Sequence, residues 1–287
     1  MFDTPQPARP GTLHIVATPI GNLRDISLRA LDVLRTADLI AAEDTRASQT
    51  LLAAHGIRAR LFALHEHNEA AAATRLVEAL RAGKSVAYIS DAGTPGISDP
   101  GARLVAAARA AGLPVSPIPG ASAVTATLSV AGMEDPWLFV GFLPARSAAR
   151  RQALRDLAAL PCALVLYEAP HRIEECIGDL LEILGGEREL LIARELTKRF
   201  EQVHRCPLAS APAWLAEDEH HRRGEFVLVV SPPARAAGSE DDVEARQILR
   251  ILLEELPVRQ AAHLAARLSG ARKNALYDLA LSMKKEE

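Results

Sequence analysis

The chain has 287 residues, 49% of them hydrophobic and 24% charged, the proportions of a globular protein long enough for two compact units with separate cores. Its formal net charge of −3 sets up no global basic field, so any nucleic-acid contact has to come from a local patch. Cys162, Cys176 and Cys206 are scattered without C-x-x-C spacing, which argues against a disulfide framework or structural zinc and for a reducing compartment.

The start, Met1-Phe2-Asp3-Thr4-Pro5-Gln6-Pro7, has neither a basic nor an apolar leader region, and no run of about 18 apolar residues follows anywhere. A cytoplasmic protein with a disordered, Pro-rich segment over 1–11 is expected. Leu13 to Ala17 reads as a buried strand. Ser27 caps a helix with Leu28, Leu31 and Leu34 on one face. Asp38 to Ala42 is a second strand. Asn68 opens a helix through Leu80 that Gly83 stops, and Ser85 to Ser90 is a third strand. Asp99-Pro100 has the form of an N-cap and first helical position, and Gly112 ends that helix. Val115 to Ile118 and a helix from Ala121 to Val130 complete the alternation. A mostly parallel, helix-covered sheet over 12–133 follows.

A second α/β domain is expected over 134–231, with strands at Leu138 to Phe142, Ala163 to Tyr167, Glu189 to Ala193, Glu201 to Arg205 and Phe226 to Val230. Two strands succeed one another around Arg194 to Cys206 without a helix, which implies antiparallel pairing and a mixed sheet. Pro232 to Ser239 reads as a linker within 232–240. Over 241–287 three short helical patterns, Val243 to Leu256, Arg259 to Leu268 and Lys273 to Met283, look too polar to bury much.

Four Gly- and Pro-rich segments lie beyond predicted strand ends, where open α/β sheets bind ligands. They are Thr18-Pro19-Ile20-Gly21-Asn22, Glu43-Asp44-Thr45-Arg46, the stretch Ser90 to Gly101, and Pro119-Gly120-Ala121-Ser122-Ala123. In the third, glycines let a ligand approach the backbone, prolines stiffen the loop, and Asp91 and Asp99 offer acceptors. The fourth opens a helix whose first N–H groups suit a carboxylate. Any one of these is as well explained as a connecting loop; four on one sheet edge point to a small-molecule site. Neither G-x-G-x-x-G after the first strand, nor a P-loop, nor a G-x-S-x-G elbow occurs. His65-Glu66-His67 lacks metal-ligand spacing, and no metal is expected. Tyr167 to Arg172 and Arg194 to Glu201 mix acids and bases at strand ends, while Arg146, Arg150, Arg151 and Arg155 recur at helical spacing as a cationic ridge or a solvated face.

In order along the chain, T-P-I-G-N, E-D-T-R, H-x-H-N-E, S-D-A-G-T-P-x-I-x-D-P-G, G-F-L-P-A, Y-E-A-P-H-R and R-E-L-T-K resemble the ribosomal RNA small-subunit methyltransferase I family of the tetrapyrrole methylase superfamily. The likeness spans about residues 11–231, and the C-terminal helices resemble that family's helix-turn-helix-like extension. It implies two α/β domains of the tetrapyrrole methylase type, with S-adenosyl-L-methionine in the cleft between them, and a homodimer. The implied reaction is methyl transfer to the ribose 2′-oxygen of a cytidine in the decoding region of 16S ribosomal RNA. Donor contacts then fall on Pro19, Asp91, Ala92, Gly93, Thr94, Pro95, Ile97, Ser122 and Ala123, with Tyr167 and Gly224 nearby. Glu168, Glu195 and Lys198 are candidates for the chemical step. Arg46, His67, Asn68, Arg146, Arg150, Arg151, His171, Arg172 and Arg199 are candidates for RNA contact. Two other readings stay open: a methyltransferase of the same fold acting on a small macrocycle, and a non-enzymatic RNA-binding module.

Overall fold

The computed structural model describes residues 4–65, 67–234, 240–269 and 273–283. The chain divides into two compact units, Met1–Pro232 and Pro233–Glu287. Glu66 of the His65-Glu66-His67 segment and residues 235–239 of the expected linker lie outside the described residues.

The first unit carries two five-stranded sheets. In the first, β1 (Leu13–Val16), β2 (Leu39–Ala42), β3 (Leu61–Ala63), β4 (Val86–Ile89) and β5 (Val115–Ile118) pair in the order β3-β2-β4-β1-β5, every pair parallel. Helices α1 (Leu28–Thr36) and α2 (Thr45–Ala54) bury Leu34 and Leu52 against Val16, Ile40 and Ile89 on one face. Helices α3 (Glu69–Arg81) and α4 (Ala102–Ala110) bury Leu76, Leu80 and Leu104 against Leu13, Val86 and Tyr88 on the other. Coverage of both faces is why these strands read as short continuous apolar runs.

The second sheet runs β6-β7-β10-β8-β9, from β6 (Trp137–Phe142), β7 (Ala163–Glu168), β8 (Glu189–Arg194), β9 (Gln202–Pro207) and β10 (Phe226–Val230). Only β6 and β7 pair in parallel; β10 is antiparallel to β7 and β8, and β8 to β9. Alternation along β10 sends Phe226, Leu228 and Val230 toward α6 (Ser147–Leu157), α7 (Ile173–Leu184) and α8 (Ala211–Glu217). Val227 and Val229 face the opposite way and pack on Val124 and Ala131 of α5 (Ala123–Ala131). Helix α5, which the chain order attaches to the first sheet, therefore packs on the second.

Three further expectations are corrected. Of the expected disordered segment, residues 1–3 lie outside the described residues and residues 6–9 are tied down, since Gln6 N–H donates to Asp32 Oδ2 (3.1 Å), Ala8 N–H to Thr36 Oγ1 (2.8 Å) and Arg9 N–H to His14 Nε2 (3.0 Å). Helix α4 is not capped by Asp99. Its N-cap is Gly101, and the buried Glu69 on α3 accepts from both Gly101 N–H and Arg103 N–H at 2.9 Å. A carboxylate from a neighbouring helix thus does the capping, and Asp99 has no capping role. Finally, Arg150 belongs to no cationic ridge. It is fully buried, with Nε 2.6 Å from Asp179 Oδ2, while Arg151 reaches Asp179 Oδ1 (2.6 Å) and Glu182 (2.8 Å). The guanidinium joins α6 to α7, because burying a cation demands a carboxylate partner.

The second unit consists of α9 (Glu240–Glu255), α10 (Val258–Ser269) and α11 (Lys273–Met283). Contrary to the expectation from their polarity, these helices bury a core of their own: Ala245, Leu249, Ala261, Ala262, Ala265, Leu276 and Ala280. Alanine at three α10 positions allows close helix approach without long apolar side chains. Arg259, His263 and Arg267 lie exposed at four-residue spacing along α10, which contains no acidic residue.

Removing the Asp179 carboxylate leaves the buried Arg150 guanidinium with only the longer contacts to Glu175 (3.3 Å) and Ala145 O (3.4 Å). Asp179→Ala is expected to cost about 3–5 kcal/mol in urea unfolding, far more than Glu182→Ala on the exposed side of the network.

Candidate active site

The loops beyond β1, β4 and β5 are stitched together by backbone. Thr18 and Gly93 form an isolated antiparallel bridge, with Thr18 N–H donating to Gly93 O (2.8 Å) and Gly93 N–H to Thr18 O (3.0 Å). Gly93 sits at φ +78°, a region that side chains with a Cβ avoid, and an added Cβ would lie 3.4 Å from Ile20 Cγ2. Thr94 Oγ1 donates to Ala121 O (3.1 Å), tying the glycine-rich loop to the entry of α5. Ser122, the N-cap of α5, makes no capping bond with its side chain.

Facing these loops is the edge of the second sheet. Tyr167 packs its ring against Phe139 and Phe142 at centroid distances of 5.0 and 5.5 Å. The β8–β9 connection presses in from the side. Lys198 Nζ bridges Glu195 Oε1 (2.7 Å) and Glu225 Oε2 (2.9 Å), and Glu195 Oε1 also accepts from Glu225 N–H (3.1 Å). Two glycines make room for this knot. A Cβ on Gly21 would come within 2.5 Å of Lys198 Cγ, and one on Gly224 within 2.3 Å of Glu195 Cγ.

Between the two sheets lies a cavity of about 340 Å³, its wall mostly apolar. Of the sequence-predicted donor residues, Ala92, Gly93, Thr94, Ile97, Ser122, Ala123 and Tyr167 line it. Pro19 and Gly224 stand next to the lining residues Ile20 and Glu225. Pro95 is buried within the loop, and Asp91 Oδ1 is occupied by Asp44 N–H (3.0 Å). Asp44 itself caps α2 through Arg46 N–H (2.7 Å), so E-D-T-R serves as a helix start.

The candidates for chemistry separate. Glu168 lines the cavity, its side chain buried; Oε1 accepts from Ala169 N–H (2.8 Å) and Oε2 from Arg172 Nη2 (3.3 Å). Arg172 Nε lies 3.1 Å from Glu168 Oε1 as an ion pair without hydrogen-bond alignment. Nη2 also donates to Leu143 O (2.7 Å), so Arg172 is held within the fold rather than offered to a phosphate. Glu195 and Lys198 are spent on one another and do not line the cavity. Burial opposes charge on both. The hydrogen bonds from Lys198 and Glu225 N–H nonetheless hold the Glu195 carboxyl below the usual range, and the two carboxylates hold the Lys198 ammonium above its own. Both candidates for the chemical step are thus engaged in the fold, outside the cavity lining.

Sequence reasoning missed Ser98, Phe142, Leu196 and Phe226 as cavity lining, and read Asp99 both as a ligand acceptor and as a cap. Asp99 faces the cavity half-buried. Burial pushes its pKa up, the Ser90 hydroxyl lowers it in part, and Asp91 raises it further. Ser98 takes φ +63° without being glycine, and an added Cβ on Gly141, at a bulge in β6, would meet its Oγ at 2.9 Å. Nothing in the residue type announces that position. Of the RNA candidates, Arg46, His67, Arg146, His171 and Arg199 are exposed and Asn68 is half-buried, its amide holding the chain turn before α3 through His65 N–H and Ala63 O. None of them lines the cavity. Among the described residues, no three His, Cys, Asp or Glu side chains gather as metal ligands, and no helix is long and apolar enough to cross a membrane.

Residues 12–212 match the family described as Tetrapyrrole (Corrin/Porphyrin) Methylases, and 239–284 match the RsmI C-terminal HTH domain. The chain is 50% identical to Ribosomal RNA small subunit methyltransferase I of Pseudomonas aeruginosa over 94% of this chain and 97% of the relative. It is 49% identical to the Escherichia coli O157:H7 protein of that name, over 94% and 95%. Among solved structures, diphthine synthase matches at a TM-score of 0.58 with 18% identity, over 77% of this chain and 90% of that one. Uroporphyrin-III C-methyl transferase from Thermus thermophilus, complexed with S-adenyl homocysteine, matches at 0.54 with 18% identity, over 76% and 96%.

The knot gives a pH signature. The depressed Glu195 adds stability above the ordinary glutamate value of 4.5, which is lost as pH falls through its folded pKa. The raised Lys198 adds stability below 10.5, which is lost as pH rises through its own. Lys198→Met is therefore expected to cost roughly 1–3 kcal/mol at neutral pH and much less in strong acid, as read by urea titration across pH.

Proposed function

We infer, because the chain belongs to the tetrapyrrole methylase family and within it to the ribosomal RNA small subunit methyltransferase I family, that it methylates RNA of the small ribosomal subunit. S-adenosyl-L-methionine is the methyl donor. The acceptor in this reading is the 2′-oxygen of a cytidine ribose in the decoding region of 16S ribosomal RNA. The enzyme works as a homodimer in the cytoplasm. The observation that carries the reading is the cavity itself. A glycine-built backbone wall beyond the first sheet shares the cavity with two buried or half-buried carboxylates, Asp99 from the same loop and Glu168 from the end of β7.

The donor fits this cavity on three counts. Gly93 keeps the wall free of a side chain at the point of closest backbone approach. The first N–H groups of α5, left without a side-chain cap at Ser122, suit the donor's carboxylate. The apolar surfaces of Ile97, Phe142 and Tyr167 suit its adenine. Pro19, Asp91, Pro95 and Gly224 support these walls without lining them. When bound, the donor supplies a methyl group activated by its sulfonium. The protein's part is positioning and proton handling, since a ribose hydroxyl is a poor nucleophile and gains from an acceptor in line with attack. Asp99 is assigned that role: burial makes its carboxylate more basic than an ordinary aspartate, and no capping duty occupies it. Glu168, braced by Arg172 and Ala169 N–H, orients rather than accepts. The backbone-held loop and the knot at Lys198 keep both walls in place. A small macrocycle as substrate is disfavoured by the basic stripe Arg259–His263–Arg267, which such a substrate would not use.

Mass mapping of 16S ribosomal RNA from cells lacking the protein, with and without complementation, tests the reading: one methyl group on a decoding-region cytidine is expected to vanish and return. Loss of no methyl from that RNA overturns it. Complementation with Asp99→Asn is expected to restore little, with single-turnover rates down roughly 10²-fold at unchanged RNA binding. The parental rate should climb with pH through the raised Asp99 pKa, and that rise should be absent in the variant. Gly93→Val places a β-branched side chain at φ +78° beside Ile20; calorimetry is expected to show donor binding abolished while the melting transition persists.

A further inference from the structure

The β8–β9 connection, residues 195–201, is built as a rigid finger. Its base is locked by the Glu195–Lys198–Glu225 knot and by the Gly21 contact, and Leu196 forms part of the cavity wall. Its tip is fixed from within. Thr197 N–H donates to Glu201 Oε2 (2.5 Å), Glu201 N–H to Lys198 O (3.2 Å), and Arg194 Nη1 to Phe200 O (3.4 Å). Glu195 and Thr197 hold positive φ values of 50° and 66°, which the fold tolerates only because these bonds over-determine the loop.

What this scaffold holds out is an aromatic ring. Phe200 is 64% exposed, and the Arg199 guanidinium lies over the ring at 5.5 Å from its centroid. Phenylalanine stabilises a fold by burial, and here most of that gain is forgone at a position whose backbone is tightly fixed. A rigid π face beside a guanidinium is the chemistry that stacks an unpaired nucleobase. The ring stands four residues from the cavity-lining Leu196, at the exposed end of the same connection.

We propose that Phe200 and Arg199 form a stacking platform for a base flanking the modified nucleotide, drawing it out of the RNA stack so that the target ribose reaches the cavity. The proposal rests on the RNA-substrate reading given above. Phe200 supplies the π face, and Arg199 supplies the ring contact together with a charge for the neighbouring phosphate. The net charge of −3 makes such local cations matter more.

The test uses the full-length enzyme and small ribosomal subunits purified from cells lacking it. Phe200→Ala is expected to raise the KM for subunits roughly tenfold or more, with donor affinity and the turnover rate at saturating subunits held at parental values. Phe200→Trp keeps the parental KM, whereas Phe200→Leu, apolar but without a π face, behaves like the alanine variant. Arg199→Ala lowers the slope of log affinity against log salt by about one unit, and Phe200→Ala leaves that slope unchanged. A parental KM for Phe200→Ala or Phe200→Leu overturns the proposal. So does a shift of Phe200→Ala to a smaller species in sedimentation, which would assign the ring to a contact between copies of the chain. If the parent binds donor but methylates no subunit RNA, the underlying reading falls first, and that failure shows in the parent rather than in the variants.

Discussion

The Lys198 ammonium, held between Glu195 and Glu225, is the interaction on which the site geometry depends. It closes the β8–β9 loop onto Gly224, just before β10, and wedges the same loop against Gly21 in the loop beyond β1. An ammonium flanked by two carboxylates and half withdrawn from water is bound more firmly than an exposed surface pair, and it sets the position of Leu196 and Glu225 in the cavity wall. Both glycines are required by contact rather than by turn geometry alone, since any Cβ at either position would overlap the knot.

The other wall is fixed by backbone. The Thr18–Gly93 bridge and the Thr94–Ala121 bond hold three loops as one surface without spending charged side chains. A backbone wall presents N–H and C=O groups at fixed positions and costs little entropy on binding, which suits close packing on a small donor. No cavity carboxylate is needed to hold this wall. Asp99 is available because Glu69 of α3 has taken over the N-terminus of α4. That substitution of one cap for another is the step that turns a loop carboxylate into a cavity carboxylate.

The arginines show how charge is divided between folding and recognition. Arg150 links α6 to α7 through Asp179, and Arg172 ties the end of β6 to Glu168 through Leu143 O. Arg194 holds Arg223 O and Phe200 O, and Arg188 holds Ala158 O and Ser231 O. These buried and half-buried guanidiniums saturate carbonyls and carboxylates at loop ends, where a planar fork of donors is most useful. The cations left in solvent, among them Arg46, Arg146, Arg199 and the α10 stripe, are the ones with a field to offer an anionic partner.

Much of the fold was legible in the chain because burial on both faces leaves a mark. The runs at Leu13, Leu39, Val86 and Phe226 are continuous and apolar, and Ser27 with its following leucines fixes α1. The ordered motifs likewise pointed to the glycine-rich loop, which lines the cavity, because four such loops fall on one sheet edge where a single one would read as a plain connection. β3, three residues long, carries too short a pattern to be read. The sheet on which α5 packs could not be read either, because helix amphipathicity says which face is buried and not against what. The sequence listed arginines at helical spacing, yet whether Arg150 meets water or Asp179 depends on a helix that arrives 29 residues later. In the same way Asp99 beside Pro100 is a complete local capping signal, overruled by Glu69 from 30 residues upstream in α3. Local residue types determined the elements and the loops that ligands approach; which charges are consumed inside the fold and which remain for chemistry was decided only when distant elements were brought within hydrogen-bond reach.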